Sequence, residues 1–297
     1  MSIQSPSTNY KSPLATLKSK LTLYLPLIKG LQTGLLVATG LAGYMSVRCP
    51  IFNLGTIVGL FDSLFLSISG STILNMWYDR DIDAKMGRTK QRPLSRGVVS
   101  DGEVLRLGLT LSLLGVGLAV AMDALFGLII FAGLFFDVVI YTIWLKRKTC
   151  WSIVWGGISG GMPILAGRVL GMGGFDWIGV VLALGILFWI PTHILTFSMK
   201  YYDDYKAAGV PTFPSTYSFG ITRAVIAISS VIAALAMGMA GWGIGMTVGY
   251  LRILIVLSAG LLTLAVTTLL RPSEQVNFGL FKYASVYMLS SMILIMA

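Results

Sequence analysis

Three oxygen-bearing side chains at a spacing of four form the clearest chemical pattern in the sequence. Asn75, Asp79 and Asp83 follow a long apolar run at positions i, i+4 and i+8. On a continuous helix, residues four apart lie on one face, so we expect these side chains to form a single stripe. Carboxylate and amide oxygens at this spacing suit a hard cation, best of all Mg²⁺ shared with phosphate oxygens.

The residues around and after this stripe are unusually charged. Residues 75–97 hold three acids and six bases, whereas only 11% of the whole chain is charged. The bases that follow the stripe can neutralise phosphate oxygens that a metal leaves uncompensated: Lys85, Arg88, Lys90, Arg92 and Arg96. A second interpretation stays open, because loops on the cytoplasmic side of a membrane collect lysine and arginine in any case.

A second cluster of polar side chains lies in residues 191–214. If the preceding helix continues by one turn, four of them fall on one stripe: His193, Phe197, Lys200 and Asp204, with Asp203 adjacent. The two acidic helix ends are expected to face the same compartment. An anionic diphosphate held between them through a metal is the chemical use that this arrangement favours.

The composition places these motifs in a membrane protein. The chain has 297 residues and is 56% hydrophobic, with a mean hydropathy of +0.82, which excludes an ordinary soluble globule. Apolar runs long enough to cross a bilayer recur without strand-like alternation, so the expected fold is an all-α transmembrane bundle. We predict a flexible cytoplasmic N-terminus (1–26), one transmembrane domain (27–297), and nine spans at 27–47, 54–76, 104–122, 124–143, 152–171, 177–199, 222–245, 251–270 and 277–296.

The distribution of basic residues predicts the orientation of the bundle. Of the 22 lysines and arginines, all but Arg48, Arg168 and Arg252 fall on one side of the predicted spans. We therefore expect a multi-pass protein of the cell membrane with its N-terminus in the cytoplasm and its C-terminus outside. Cytoplasmic loops then explain the net charge of +10 without a nucleic-acid partner. Cys49 and Cys150 are expected on opposite sides, too far apart for a disulfide.

Several single residues admit two interpretations. His193 is the only histidine, and a membrane histidine either bridges helices by hydrogen bonds or contributes to function. Asp62 and Asp137 also lie within predicted spans, and the sequence does not identify their partners. The three bases from Lys146 to Lys148 are best explained by the excess of lysine and arginine that cytoplasmic loops carry.

These motifs together resemble a known family. Residues 75–97, NMWYDRDIDAKMGRTKQRPLSRG, resemble the first aspartate motif of the UbiA-type intramembrane prenyltransferases. Within them the closer resemblance is to the protoheme IX farnesyltransferases (haem O synthases), carried by RTKQRPL and three further blocks. These are YTIWLKRKT at 141–149, PTHI at 191–194, and DDYKAAGVPTFP at 203–214.

The resemblance implies a nine-helix bundle that transfers a farnesyl group from farnesyl diphosphate to a vinyl group of haem B. It implies Mg²⁺ at a catalytic and metal-binding set of Asn75, Asp79, Asp83, Asp203 and Asp204. It assigns the diphosphate to Arg88, Arg92, Lys146, Lys200 and Tyr141, and the haem to His193. The implied partners are these two substrates, the lipid bilayer, and a downstream haem A synthase or terminal-oxidase assembly.

Two alternative functions remain at this point. The aspartate stripe alone is shared across the superfamily, so a quinone precursor or another lipid could be the acceptor. An ion-coupled transporter would also use intramembrane acids such as Asp62 and Asp137. Transporters place such charges near the bilayer midplane, whereas the dense clusters here lie at helix ends, which favours the prenyltransferase.

Overall fold

The structure, a computed structural model, describes residues 22–47 and 53–297, and no strand occurs among them. Arg48 and Cys49, which entered the predicted orientation, lie outside these residues, as do residues 1–21. A short 3-10 turn, Leu25–Ile28, precedes the helices. The helices are α1 (Gly30–Met45), α2 (Leu54–Tyr78), α3 (Arg80–Lys85), α4 (Asp101–Met122), α5 (Ala124–Leu145), α6 (Ser152–Met172), α7 (Trp177–Lys200), α8 (Tyr202–Ala207), α9 (Phe213–Thr216), α10 (Phe219–Ile244), α11 (Val248–Leu270) and α12 (Glu274–Met296).

The all-α membrane architecture is confirmed. Eight of the described helices are long and apolar enough to cross a membrane, and a bent pair makes nine if the two parts form one span. That pair consists of Thr22–Ile28 and α1, which meet at an angle of 48°. Lys29 lies at the bend with φ 48° and ψ 56°, a left-handed conformation that interrupts helical hydrogen bonding.

Glycines allow α1 and α6 to pack with their backbones nearly in contact. A Cβ atom on Gly167 would lie 1.9 Å from the carbonyl oxygen of Gly40, and one on Gly43 would lie 2.0 Å from that of Ile164. In a bilayer, close packing rather than exclusion of water holds helices together, and small residues permit it. The glycine-rich sequence of the fifth span is therefore a packing feature at these positions.

The structure contradicts the expected continuous stripe of Asn75, Asp79 and Asp83. Helix α2 ends at Tyr78, and Asp79 is the residue between α2 and the short helix α3. Its φ of −90° and ψ of 8° lie outside the α-helical region, so Asp83 belongs to a separate short helix, although its N–H still donates to the carbonyl oxygen of Asp79 (2.8 Å). The side chain of Arg80 donates to the carbonyl oxygen of Trp77 (2.8 Å), which stabilises the end of α2.

The second expected stripe is broken in the same way. Helix α7 ends at Lys200, Tyr201 separates it from α8, and Asp204 lies in the first turn of α8. The stripe from His193 to Asp204 is therefore wrong. Both places have the same order of elements: a long span ends, one residue interrupts the helix, and a six-residue helix follows with two acids in its first turn. Acids in a first turn are favoured by the helix dipole.

The second half of α5 has an unusual helical form. Phe136–Leu145 is a π-helix of 10 residues, in which backbone bonds join residues five apart. The N–H of Lys146 continues this pattern by donating to the carbonyl oxygen of Tyr141 (2.8 Å). π-Helical turns are rare, and where they occur they are often near functional sites. Nothing in the sequence predicts this segment.

An ion pair between Arg168 and Asp176 lies at the end of the bundle opposite to the two acidic motifs. Arg168 of α6 donates to both oxygens of Asp176 and, through Nη1, to the carbonyl and hydroxyl oxygens of Ser46. Asp176 also accepts from the N–H of Gly179 (2.9 Å), which begins α7. Burial acts to raise the pKa of the Asp176 carboxyl, but the guanidinium and backbone hydrogen bonds outweigh it and the pKa lies below its usual value.

The packing of α1 on α6 gives a stability prediction. Gly167→Ala should lower the melting temperature of the detergent-solubilised protein sharply, because its methyl group overlaps a backbone carbonyl and overpacking costs about 1–3 kcal/mol or more. Gly117→Ala in α4 is the matched control, since nothing lies within 4 Å of the added atom. Equal effects of the two substitutions would contradict the close contact.

The Arg168–Asp176 pair gives a pH prediction. Because the pKa of Asp176 is depressed on folding, its contribution to stability is present above its ordinary pKa of about 3.9 and disappears as the pH falls further. Asp176→Asn keeps an N-cap acceptor but removes the charge, so its melting temperature should approach that of the wild type as the pH falls from about 5 to about 2. Asp123→Asn, at the N-cap of α5, is the control. A constant difference across this range would contradict the assignment.

Candidate active site

Asp79 is the most buried acid of the first motif. The residue is 4% exposed, and its Oδ2 atom is paired with the ammonium of Lys146, which follows the π-helical segment of α5. Its Oδ1 atom is buried with no hydrogen-bond partner among the described residues, and the nearest arginine nitrogen, on Arg147, is 3.8 Å away. Since a buried carboxylate oxygen without a partner is costly, this atom is suited to bind a cation.

Asp83 is held by the basic loop that follows it. Its carboxylate pairs with Arg92, and its backbone carbonyl accepts from the hydroxyl of Thr89 (2.9 Å). The residue is 7% exposed, so the loop folds back over α3 and excludes most solvent. Arg92, predicted to bind diphosphate, is thereby placed beside one of the predicted metal ligands.

The two acidic motifs, distant in sequence, meet at one end of the bundle. The carboxylate of Asp204 accepts from the backbone N–H groups of Gly87 (3.1 Å) and Arg88 (3.2 Å). The loop after α3 is therefore joined directly to α8. The predicted juxtaposition of the motifs is present, although it arises from backbone hydrogen bonds rather than from parallel helix ends.

An open cavity of about 410 Å³ lies at this junction. Two cations, Arg88 and Lys200, face it, and neither forms an ion pair with a described residue. The guanidinium of Arg88 lies 4.9 Å from the ring centre of Phe197, and the Lys200 ammonium lies 3.3 Å from that of Phe278. The cavity is lined by Gly87, Arg88, Lys200, Tyr201, Asp203 and Asp204.

The predicted metal ligands do not form one compact cluster. Among the described residues, no three His, Cys, Asp or Glu side chains lie close enough to hold a metal ion together. Asp83 and Asp204 lie on separate short helices beyond the breaks that follow Tyr78 and Lys200. Asp203 is exposed, Asp204 is bound to backbone amides, and only Asp79 offers a buried oxygen without a hydrogen bond.

The remaining polar residues of the first motif contact α5. The Oδ1 atom of Asn75 accepts from the hydroxyl of Thr142 (2.7 Å), and its Nδ2 donates to Asp137 (2.8 Å). The ammonium of Lys146 lies 5.6 Å from the ring centre of Tyr141. Lys146, which pairs with Asp79, thus lies beside Tyr141. The sequence gives no sign of the contact of Thr142 and marks Asp137 only as an acid within a span.

Arg147 has a structural partner outside the membrane-spanning helices. Its guanidinium donates to both oxygens of Asp81 (2.8 and 2.7 Å) and to the backbone carbonyl of Tyr78 (2.9 Å). These hydrogen bonds hold the pKa of the Asp81 carboxyl below its usual range. The basic run therefore ties the end of α5 to α3, in addition to supplying positive charge.

His193 lies apart from the acids, between α7 and α12. Its ring stacks between Trp189 and Phe281, with ring centres 5.0 and 4.5 Å away. Its Nδ1 atom is 3.3 Å from the hydroxyl oxygen of Ser285. Trp189 in turn donates to the carbonyl oxygen of Ala284 (2.8 Å), which fixes the aromatic stack to α12. This environment suits contact with a flat, apolar ligand as well as helix bridging.

The chain is similar to several known proteins. Residues 36–286 match the model of the UbiA prenyltransferase family. The chain is 40% identical over 269 residues to a protoheme IX farnesyltransferase from Archaeoglobus fulgidus, which covers 90% of this chain and 94% of that protein. It is 33% identical over 258 residues to a protoheme IX farnesyltransferase from Symbiobacterium thermophilum, with 86% of each covered.

Solved structures share the fold. A structure of digeranylgeranylglyceryl phosphate synthase superposes with a TM-score of 0.77 at 19% identity, covering 94% of this chain and 98% of the other. A UbiA homologue from Archaeoglobus fulgidus, bound to DMAPP and Mg²⁺, superposes with a TM-score of 0.67 at 15% identity. The superposition covers 92% of this chain and 99% of the other. At these identities the likeness establishes the fold alone.

The buried pair of Asp79 and Lys146 gives a prediction for this site. Lys146→Met should lower the free energy of unfolding by about 3–5 kcal/mol, because it leaves a buried carboxylate uncompensated. Asp79→Asn in the Lys146→Met background should restore part of the loss. The measurement is reversible denaturation in detergent.

Arg80→Met is the matched control for this experiment. Its partner Asp101 has a side chain that is 54% exposed, and exposed pairs contribute about 0–1 kcal/mol. If Arg80→Met loses as much stability as Lys146→Met, and the double variant recovers none of the loss, the burial of Asp79 does not strengthen its pair with Lys146.

Proposed function

We propose, from the premise that the chain belongs to the UbiA prenyltransferase family, that it transfers a farnesyl group from farnesyl diphosphate to a vinyl group of haem B. The observation that carries the proposal is the junction of the two acidic motifs beside a cavity that Arg88 and Lys200 line. Relatives that cover most of the chain are named protoheme IX farnesyltransferases, which supports haem as the acceptor.

We further propose Mg²⁺ as the cofactor, held by Asp79 and Asn75 and completed by diphosphate oxygens, with Asp83, Asp203 and Asp204 as additional oxygen donors at the same end. The buried, unpartnered Oδ1 of Asp79 fits a hard cation. When bound, the metal supplies positive charge to the leaving diphosphate. Support also comes from the UbiA homologue whose structure holds DMAPP and Mg²⁺.

The basic residues of the site stabilise the leaving group. Ionisation breaks the bond between the allylic carbon and its oxygen, and diphosphate departs with the electron pair. Arg88 and Lys200 face the cavity without acid partners among the described residues, whereas Lys146 and Arg92 pair with Asp79 and Asp83. In this proposal the four residues meet the developing negative charge with preorganised positive charge, which is a large catalytic contribution; the position of Arg88 and Lys200 in the cavity lining supports it. Tyr141 lies under the ammonium of Lys146 and helps to position it.

The apolar bundle governs what happens to the cation. Membrane helices exclude bulk water, so the allylic cation survives long enough to meet the acceptor. The terminal carbon of a haem vinyl group forms the new carbon–carbon bond, and the positive charge moves to the carbon beside the porphyrin. Addition of water and loss of a proton there give the hydroxyethylfarnesyl side chain.

His193 is the proposed contact for the haem. Its imidazole lies in a stack with Trp189 and Phe281, where a porphyrin edge finds both flat apolar surfaces and a nitrogen. Ser285 fixes the ring by its hydrogen bond to Nδ1. In this position a histidine serves the acceptor rather than the diphosphate, because the acids of the second motif, Asp203 and Asp204, lie beyond the break at Tyr201.

We also propose the orientation of the molecule. The bias of lysine and arginine toward one side of the spans supports an active site at the cytoplasmic face of the cell membrane, with the C-terminus outside. Residues 27–297 then form one transmembrane domain that follows the segment 1–26. The product would pass within the membrane to a haem A synthase or to the assembly of a terminal oxidase.

The function is tested with purified protein in detergent, farnesyl diphosphate, haem B and Mg²⁺, with the product identified by mass. Wild-type protein should form farnesylated haem, and chelation of Mg²⁺ should abolish the reaction. Asp79→Asn should lower turnover by at least about 100-fold, since it removes a charged ligand of similar size. Asp62→Asn, an exposed acid elsewhere in α2, is the control.

The acceptor is tested separately. His193→Ala should weaken haem binding or haem turnover while leaving farnesyl diphosphate binding unchanged, and Ile194→Ala serves as its neighbouring control. A 4-hydroxybenzoate-like acceptor is offered in parallel. Prenylation of that acceptor with no reaction of haem B would reject the haem assignment and retain the prenyltransferase, whereas no prenyl transfer to either would reject both.

A further inference from the structure

Asp137 is an acid in a membrane span whose partners are neutral. It lies in the π-helical part of α5, and its Oδ2 atom accepts hydrogen bonds from the hydroxyl of Ser71 and from Nδ2 of Asn75, the latter at 2.8 Å. It forms no ion pair with any described residue. Acids in membrane spans are costly and usually serve a function. The proposed mechanism gives Asp137 no role.

The amide of Asn75 is held at both ends. Asp137 accepts from its nitrogen, and the hydroxyl of Thr142 donates to its oxygen at 2.7 Å. Because the Oδ2 atom of Asp137 accepts from Nδ2 of Asn75, the amide nitrogen faces Asp137 and the carbonyl oxygen faces away from it. That oxygen has a second lone pair, which remains available after Thr142 has donated to it.

The π-helix is what brings both partners to Asn75. Asp137 and Thr142 are five residues apart, and the hydroxyl of Thr142 also donates to the backbone carbonyl of Asp137 (2.9 Å). In an α-helix five residues advance by about 500°, which would turn Thr142 some 140° away from Asp137. In a π-helix the same spacing closes one hydrogen-bonded ring, so both side chains point to α2.

We propose that Asp137 and Thr142 are positioning residues, which hold the side-chain oxygen of Asn75 in the orientation that a metal–diphosphate complex requires. The inference rests on the proposed function, since it gives Asn75 a ligand to receive. Without the two contacts, the amide of Asn75 could turn its NH₂ group toward the site, and an NH₂ group repels a cation. The π-helical segment is then a device for orienting one amide.

The test is a double-mutant cycle on substrate binding rather than on turnover. The binding of farnesyl diphosphate to the purified full-length protein is measured by calorimetry over a series of Mg²⁺ concentrations. Asp137→Leu removes the acceptor and Thr142→Val removes the hydroxyl at constant size. Each should raise the Mg²⁺ concentration for half-maximal binding about tenfold, which corresponds to about 1.4 kcal/mol. In an Asn75→Ala background neither substitution should have a further effect.

Two conservative variants separate positioning from a general loss of structure. Thr142→Ser keeps the hydroxyl and should stay within about threefold of the wild type. Ser71→Ala removes a hydrogen bond to Asp137 that does not involve Asn75, and should also have a small effect. If Asp137→Leu fails to give a cooperative melting transition without Mg²⁺, the Thr142→Val cycle decides alone.

The outcomes distinguish this inference from the function on which it rests. Effects that persist in full in the Asn75→Ala background would overturn positioning, and for Asp137 they would identify a direct metal ligand instead. Single variants that bind like the wild type would overturn it as well. If the wild type shows no Mg²⁺-dependent binding of farnesyl diphosphate, the proposed function and this inference both fail.

Discussion

A carboxylate removed from water must find a compensating charge, and the site depends on how Asp79 does so. At 4% exposure the group pays a desolvation cost that only a close cation or a set of hydrogen bonds offsets. Lys146 meets one oxygen and the other is left without a hydrogen bond. The contact ties the end of α2 to the end of α5, so the electrostatic requirement also fixes the relative position of two spans.

Helix breaks give the acids their separate tasks. Had α2 continued through Asp79, the three oxygens of the first motif would share one face. The break at Asp79 instead leaves Asn75 facing α5, while Asp83 turns toward Arg92. The break at Tyr201 similarly allows Asp204 to hold the backbone of Gly87 and Arg88. The loop that carries the arginines is thereby closed over the site by residues from both halves of the chain.

Sequence patterns predict some of these features well and others poorly. The spans follow from hydrophobic length, because lipid leaves the backbone no alternative to helices, and the two acidic motifs meet as their sequence positions predict. The breaks after Tyr78 and Lys200 were missed, since a spacing of four looks the same whether or not the helix continues. The role of Asp137 was also hidden, because its partner Asn75 lies 62 positions away in sequence and only the π-helix makes the contact.

The distribution of paired and unpaired charge explains why the cavity suits an anion. Asp79 and Asp83 each have a basic partner, so the charges of Lys146 and Arg92 are compensated. Arg88 and Lys200 instead lie against the aromatic faces of Phe197 and Phe278, which hold the cations in place by a weaker attraction without cancelling their charge. Two cations without an ion-pair partner among the described residues therefore line the cavity where the two motifs meet, at one end of an apolar bundle. A diphosphate with a long hydrocarbon tail matches both halves of that surface.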